Sequence, residues 1–257
     1  MKLIRFFTLF VFFLYSFSGR TQLAKAQGKG TFFFDWGYAK YAYFPSKLVH
    51  TTGVDQTITY TNVRAQDQAT DPVDALAPST AFSTQFHAQF GYYFKNKYSV
   101  SLAIEQLKYA VRGKDVALPF VYDQLKGILY PRINFSRTDR WSGSYDQRWT
   151  LLMHYTIGAG PLFSSTNFQV NESTNPSTFS ISGLGLSLQA APRFVWRQRF
   201  YLAPTLVLSY LHQSRVAISA SIDEYMSQKT AVLGMQMVGG FYLHKRKKGG
   251  CMSCPEW

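Results

Sequence analysis

The stretch Gln85-Phe86-His87-Ala88-Gln89-Phe90-Gly91-Tyr92-Tyr93-Phe94 decides the fold. Phe86, Ala88, Phe90, Tyr92 and Phe94 hold its even positions; Gln85, His87, Gln89, Gly91 and Tyr93 hold the odd ones. Successive side chains of a strand point to opposite faces, so the stretch has one apolar face and one mixed face. A period of 3.6 does not produce that split. It returns over residues 183–196. There Leu184, Leu186, Leu188, Ala190, Phe194 and Trp196 share a face with Pro192, against Gly183, Gly185, Ser187, Gln189, Ala191, Arg193 and Val195.

Working outward from these two, the same alternation marks six more segments. Phe32, Phe34, Trp36 and Tyr38 oppose Asp35, Gly37 and Ala39. Val100, Leu102 and Ile104 form a face whose phase slips at Glu105-Gln106 and resumes on Leu107, Tyr109 and Val111, which predicts a β-bulge. Leu129, Ile133 and Phe135 oppose Tyr130, Arg132 and Asn134. Trp149 to Ile157, Phe200 to Tyr210 and Leu233 to Leu243 follow more loosely, and Pro131, Pro161, Pro192 and Pro204 argue against central strands because proline removes a ladder donor. The predicted strands are 31–43, 83–94, 98–112, 126–136, 148–163, 179–196, 200–213 and 229–243. Lys95-Asn96-Lys97 and Arg197-Gln198-Arg199 are tight turns. They fall at one end and the long loops 44–82, 113–125, 164–178 and 214–228 at the other. Residues 56–64 alternate weakly and read as a hairpin above the main ring or as a ninth and tenth strand.

The expected fold is therefore all-β: a closed antiparallel transmembrane β-barrel of 8 strands, with 10 as the alternative. The even strand count and one-sided turns are those of outer-membrane barrels. The chain has 22 Phe, 17 Tyr and 5 Trp, as aromatic girdles at two interfaces require. Its mean hydropathy is only −0.12, which is consistent with lipid meeting every second residue. Residues 1–26 read as a Sec-type signal peptide. Lys2 and Arg5 precede an apolar run over 6–17, and Ala24-Lys25-Ala26 is a small-x-small cleavage site. That run falls short of the roughly 20 residues of a spanning helix. The barrel is expected over 27–244 and a basic periplasmic tail over 245–257, in the bacterial outer membrane.

The net charge of +13 invites a nucleic-acid reading, but its distribution does not support one. No basic stripe accompanies a recognition motif. Four basic residues lie in the signal, and on the predicted topology the outer loops are acidic while the turn-side rim is strongly basic. Lys95, Lys97, Arg148, Arg197, Arg199 and the tail Lys245-Arg246-Lys247-Lys248 hold most of that rim. Attraction to anionic lipid headgroups is one reading; simple solvation of strand ends is the other. Expected partners are phospholipid, lipopolysaccharide and the outer-membrane assembly machinery.

Asp35, His87, Glu105, Arg132, His154 and Arg193 all fall on the predicted lumen face. In a barrel this narrow, side chains fill the interior and buried charges must pair. A polar plug is the simpler reading, and a gated pore or a proton-linked site the alternative. His154 shares a strand face with Thr150 and Thr156, and Ser187 lies on a neighbour, yet no nucleophile–base pair stands out. The chain is not expected to be an enzyme, and no cofactor or metal is expected. Gly158, Gly160, Gly183, Gly185, Gly234 and Gly240 on the lumen face leave room inside, which keeps a pore in play. Cys251 and Cys254 form the only cysteine pair. They read as a tail disulfide, with redox activity or half of a zinc site as alternatives.

Two stretches carry a family resemblance. Phe32-Phe33-Phe34-Asp35-Trp36-Gly37-Tyr38 resembles the opening strand of uncharacterised small outer-membrane barrels of the bacteroidete type. Residues 90–102, Phe90-Gly91-Tyr92-Tyr93-Phe94-Lys95-Asn96-Lys97 onward, with Leu107-Lys108-Tyr109, resemble their second hairpin. That family often carries Phe-Glu-His-Thr-Asp-Gly mid-chain. Here the matching piece is Phe135-Ser136-Arg137-Thr138-Asp139-Arg140, without the acid or the histidine. The architecture is also similar to the eight-stranded OmpA and OmpX barrel domains, which implies structural, adhesive or small-pore roles. The expected function is a non-enzymatic structural or surface-interaction barrel. The alternatives are a narrow, porin-like transporter for small solutes and a lipid-modifying enzyme.

Overall fold

The computed structural model describes residues 28–52, 56–67, 85–113, 120–143, 148–170, 173–218 and 224–243. The predicted signal peptide and the tail with Cys251 and Cys254 lie outside the described residues. Ten strands follow in order: β1 (Phe32–Tyr43), β2 (Ser46–Thr52), β3 (Gln56–Asp67), β4 (Phe86–Lys95), β5 (Tyr98–Gly113), β6 (Phe120–Gly143), β7 (Trp149–Val170), β8 (Ser173–Trp196), β9 (Phe200–Ala217) and β10 (Tyr225–Leu243).

Eight of them close a ring, β1-β4-β5-β6-β7-β8-β9-β10, completed by the pairing of β10 with β1. Phe200 on β9 leads across successive partners through Phe241, Phe34, Phe90, Leu102, Ile133, Ala159 and Leu186 back to β9 at Tyr210. One circuit thus climbs ten residues. That stagger is the shear of a tilted closed barrel, and every residue on the path is apolar or aromatic.

The question of eight or ten strands resolves by height. Near the turns the ring contains β1 and β4. Towards the loop end β10 pairs with β2 at Lys229↔Lys47, and β5 pairs with β3 at Arg112↔Arg64, with β2 and β3 paired to each other. There β2 and β3 replace β1 and β4, so each section still holds eight staves. β3 meets its neighbour with one extra residue near Asn62, whose φ is +59°. Asparagine tolerates that left-handed backbone, and it sits at a bulge.

Both predicted tight turns are present. Lys97 has φ +72°, and Arg197 and Gln198 have φ +47° and +57°. Positive φ matches the twist of the flanking strands. The loop end differs more from expectation. Residues 164–178 are mostly strand, since β7 and β8 extend as a hairpin far past the ring's middle. Residues 137–143 continue β6 beyond its predicted end at 136. The predicted bulge at Glu105-Gln106 is absent. Leu107, Tyr109 and Val111 are buried, in phase with Ala103 and Glu105; the lumen simply turns from polar to apolar at that height. The irregularity lies across the seam on β6, where Leu107 and Tyr109 oppose Ile128 and Gln124 and Gly127 has φ +87°.

The prolines are tolerated as facing pairs. The β6–β7 register lapses between Leu129↔Phe163 and Ile133↔Ala159, which sets Pro131 opposite Pro161. The β8–β9 register lapses between Ala190↔Leu206 and Phe194↔Leu202, which sets Pro192 opposite Pro204. Each pair concentrates two missing N–H donors at one site and leaves the outer flank of each strand paired.

Burial is inverted relative to a water-soluble domain. Trp36, Phe90, Leu102, Ile133, Leu186, Leu206 and Met235 are more than a third exposed on the outside. An apolar surface running round the whole ring is far larger than the few-hundred-Å² patches of soluble proteins. Strand backbone groups are paired around the closed ring, which is the condition for crossing hydrocarbon.

Candidate functional site: the polar layer of the barrel interior

The inward positions of the ring stack in three layers. Phe33, Tyr93, Leu152, Val195, Tyr201, Val238 and Tyr242 form an apolar layer near the turns. A second apolar layer, with Tyr41, Tyr43, Leu48, Leu107, Tyr109 and Ile128 among its members, lies towards the loops. Between them sit all six residues expected in the lumen. Asp35, His87, Glu105, Arg132, His154 and Arg193 are each 3% exposed or less.

Five of the six form one connected network. Asp35 lies 3.3 Å from Arg193 Nη2 and 3.3 Å from His87 Nε2. His87 Nδ1 is 3.9 Å from Glu105. Arg132 Nη1 donates to Glu105 Oε2, and the Tyr41 hydroxyl donates to the other carboxylate oxygen. Two carboxylates thus meet two guanidinium groups in a buried interior, where an unmatched charge would be very costly. Arg193 also lies over the rings of Tyr201 and Phe33, with Cζ 4.7 and 5.0 Å from the ring centres. Rings facing guanidinium planes supply attraction that a narrow lumen cannot take from water.

His154 stands apart from the charges. Its Nδ1 is 2.7 Å from Thr138 Oγ1, and its ring meets Phe33 edge-on at 6.1 Å. Thr138 in turn is 3.0 Å from the Tyr93 hydroxyl. The expected neighbours of His154 were Thr150, Thr156 and Ser187. Thr156 instead pairs with Ser136 at 2.9 Å. Thr138 was missed because the predicted strand stops at residue 136. The inward series Arg132, Asn134, Ser136, Thr138 runs on at period two and would have found it. Tyr41 and Tyr201 fall on the inward phase of their strands but were not singled out, because uncharged rings there read as plain filler. The Tyr201 hydroxyl donates to Asp35 over 2.8 Å.

The glycines do not hollow the lumen, contrary to expectation. A Cβ at Gly234 would lie 2.4 Å from the Tyr41 ring, one at Gly240 2.4 Å from Tyr201, one at Gly185 2.7 Å from Tyr130, and one at Gly91 2.2 Å from Phe33. Each glycine is the seat of a large ring from another strand, an aromatic covering of a bare backbone. At Gly158 the occupant is the Asn134 amide, 2.0 Å from where a Cβ would be. What empty space remains by Asp35, His87, His154 and Arg193 measures about 10 Å³. That holds about one water molecule. Among the described residues no cluster suited to a metal ion occurs.

A closed ring of staggered antiparallel strands, apolar outside and filled within, has one architecture. The fold is that of a small outer-membrane β-barrel. No protein-family model matches the chain, and no curated protein does. Solved structures similar to it include the outer membrane protein OprG from Pseudomonas aeruginosa, at 15% identity and TM-score 0.44 over 85% of this chain and 99% of that one. AlkL in lipid bilayers is similar at 8% identity and TM-score 0.45, over 90% and 98%. Ail of Yersinia pestis is similar at 14% identity and TM-score 0.37, over 84% and 99%. These likenesses do not reach to the bacteroidete type.

Proposed function

We propose that the chain is a non-enzymatic integral protein of the bacterial outer membrane, exported through a cleaved signal, with its tight turns in the periplasm and its long hairpins outside. Its role is structural or one of surface interaction. The observation that supports this reading is the filled interior: a charge-balanced polar layer between two apolar layers, with glycines seating aromatic rings. Such a lumen offers no path for solutes. It also keeps His154 from substrate, because that imidazole lies inside the wall against Phe33 and Thr138. The long β7–β8 and β9–β10 hairpins project the surface that partners would meet.

Reconstitution in planar bilayers tests it. The expected result is a quiet membrane at ordinary voltages, and quiet still for His154→Ala. Discrete conductance steps that grow on replacing Arg193 by Ala would establish the narrow-pore alternative instead. Incubation with lipid A, phospholipid and peptide substrates tests the enzymatic alternative; turnover lost in His154→Ala would establish it.

A further inference from the structure

The outer surface changes from apolar to basic along one row of cross-strand neighbours. On β10 the outward series Leu243, Phe241, Gly239, Met237, Met235, Leu233 and Ala231 ends at Lys229. On β9 the series Phe200, Leu202, Pro204, Leu206, Leu208 and Tyr210 ends at His212. On the stave made by β1 and β2, Phe44 is followed by Lys47. Lys47 is the register partner of Lys229, and Lys229 is the partner of His212. All three are exposed. Next along the wall, Arg64 is exposed between the inward Val63 and Ala65 on β3, and its register partner on β5 is Arg112. Exposed basic positions therefore succeed one another on β9, β10, β2 and β3.

Same-face partners on adjacent strands lie about 5 Å apart, and like charges placed there repel. Lys47 beside Lys229 is an unfavourable pair in an isolated wall. It becomes favourable when an anion lies over both. The anion's nature follows from what adjoins the row. Directly below are Ala231, Tyr210 and Phe44, and then Leu233 and Leu208, the top of the hydrocarbon-facing belt. A soluble anion gains nothing from that neighbour. A phosphate carried on acylated sugar does, since its chains continue down the same staves while its charge rests on the cations.

We infer that Lys47, Lys229 and His212, continued by Arg64, form a binding site for the phosphate groups of the outer-leaflet glycolipid. This rests on the orientation proposed above, which places the loop end outside. The cations also set the barrel's depth, because they fix the height at which headgroup phosphate stops.

The full barrel in nanodiscs, supplied with bisphosphorylated lipid A or its dephosphorylated form, is the test, with bound lipid counted by native mass spectrometry. The wild type is expected to retain the phosphorylated lipid preferentially. Lys229→Gln should lower that retention about fivefold, the worth of one cation near an anionic surface, and Lys47→Gln with Lys229→Gln should lower it further. Lys229→Arg should retain it. Heat-dependent gel mobility confirms that each variant is folded. Lys95→Gln with Arg199→Gln, at the opposite rim, should leave retention unchanged. Equal retention of both lipids, or an equal loss in the rim variant, overturns the site. Complete displacement by a soluble polyphosphate, with no contribution from acyl chains, assigns the row to soluble polyanions and overturns it too. Orientation is read separately, from Ser214→Cys in a Cys251→Ser, Cys254→Ser background. Labelling of intact cells by an impermeant maleimide supports an outer-leaflet ligand. Protection with lipid retention intact overturns the orientation and the outer-leaflet assignment, while the phosphate site itself stands.

Discussion

Arg132 is the side chain whose loss is most informative. It is the largest of the fully buried residues, and its Nη1 neutralises Glu105, whose exposure is nil. Replacing it by Met keeps much of the volume and removes the charge. Glu105 is then left with Tyr41 and a histidine 3.9 Å away. Breaking one side of a buried pair costs about 3–5 kcal/mol. With a urea dependence of about 2–3 kcal/mol/M, the unfolding midpoint should fall by roughly 1–2 M. Replacing both partners, Arg132→Met with Glu105→Gln, removes the unmatched charge. Arg132 Nε and Nη2 meet no hydrogen-bond acceptor, so the pair is only partly satisfied even in the native barrel. The double variant should therefore recover most of the loss and unfold within about 1 kcal/mol of the wild type, since apolar or neutral replacement of such pairs is often close to neutral. The assay is urea unfolding in lipid, followed by tryptophan fluorescence and gel mobility. A double variant as unstable as Arg132→Met would refute the account, because the cost would then lie in packing rather than in the stranded carboxylate.

Further outcomes follow from single contacts. Gly158→Ala should lower stability by about 1–3 kcal/mol, because the Asn134 amide holds the space the methyl needs; the urea midpoint measures it. Pro131→Val with Pro161→Val restores two ladder donors at one seam, and should raise stability by about 0.5–1.5 kcal/mol per bond regained; protection of those new amides from hydrogen exchange is the direct check. His50 lies on β2 above the apolar belt, and burial pushes its imidazole below the ordinary value, against a smaller opposing pull from Glu224. The folded state then prefers the neutral ring, so stability is full above about pH 6.5 and is lost as pH falls from there through the lowered folded value. His50→Gln should flatten that slope in unfolding measured from pH 7.5 to 5.

The lower half of the barrel was readable from sequence because its two faces differ in chemistry. Phe90 and Leu102 point into lipid while Gln89 and Ser101 point inward, so period two also assigns the direction. Higher up the contrast disappears. Leu107, Tyr109 and Val111 face a lumen that is itself apolar, and an alternation of apolar against apolar looks like a slip of phase. The charged lumen residues were found for the same reason that the tyrosines were not. Asp35 and Arg193 have no place on a lipid face, whereas Tyr41 and Tyr201, inward by the same alternation, carry no charge to mark them, and only the fold brings their hydroxyls to Glu105 and Asp35. The exchange of β1 and β4 for β2 and β3 depends on pairings between residues far apart in the chain, such as Lys47 with Lys229. No local pattern encodes those.

That exchange has an anatomical consequence. The portion of wall in hydrocarbon and the collar above it are built from separate lengths of chain. Phe44-Pro45 and the Asp67–Gln85 junction are the two places where they join. At the second, Asp67 accepts from the Tyr41 backbone N–H over 2.8 Å, and the Gln85 carbonyl accepts from the Ala39 N–H over 3.1 Å. On the other flank the Gln85 side chain accepts from the Lys108 N–H over 3.0 Å, so the wall is sutured with two side chains and one carbonyl where a continuous stave would have a ladder. A hairpin held at its margins can be lengthened, shortened or exchanged between lineages while the segment in lipid keeps its register. The face offered to the surroundings and the body held by the membrane are thus free to diverge at different rates.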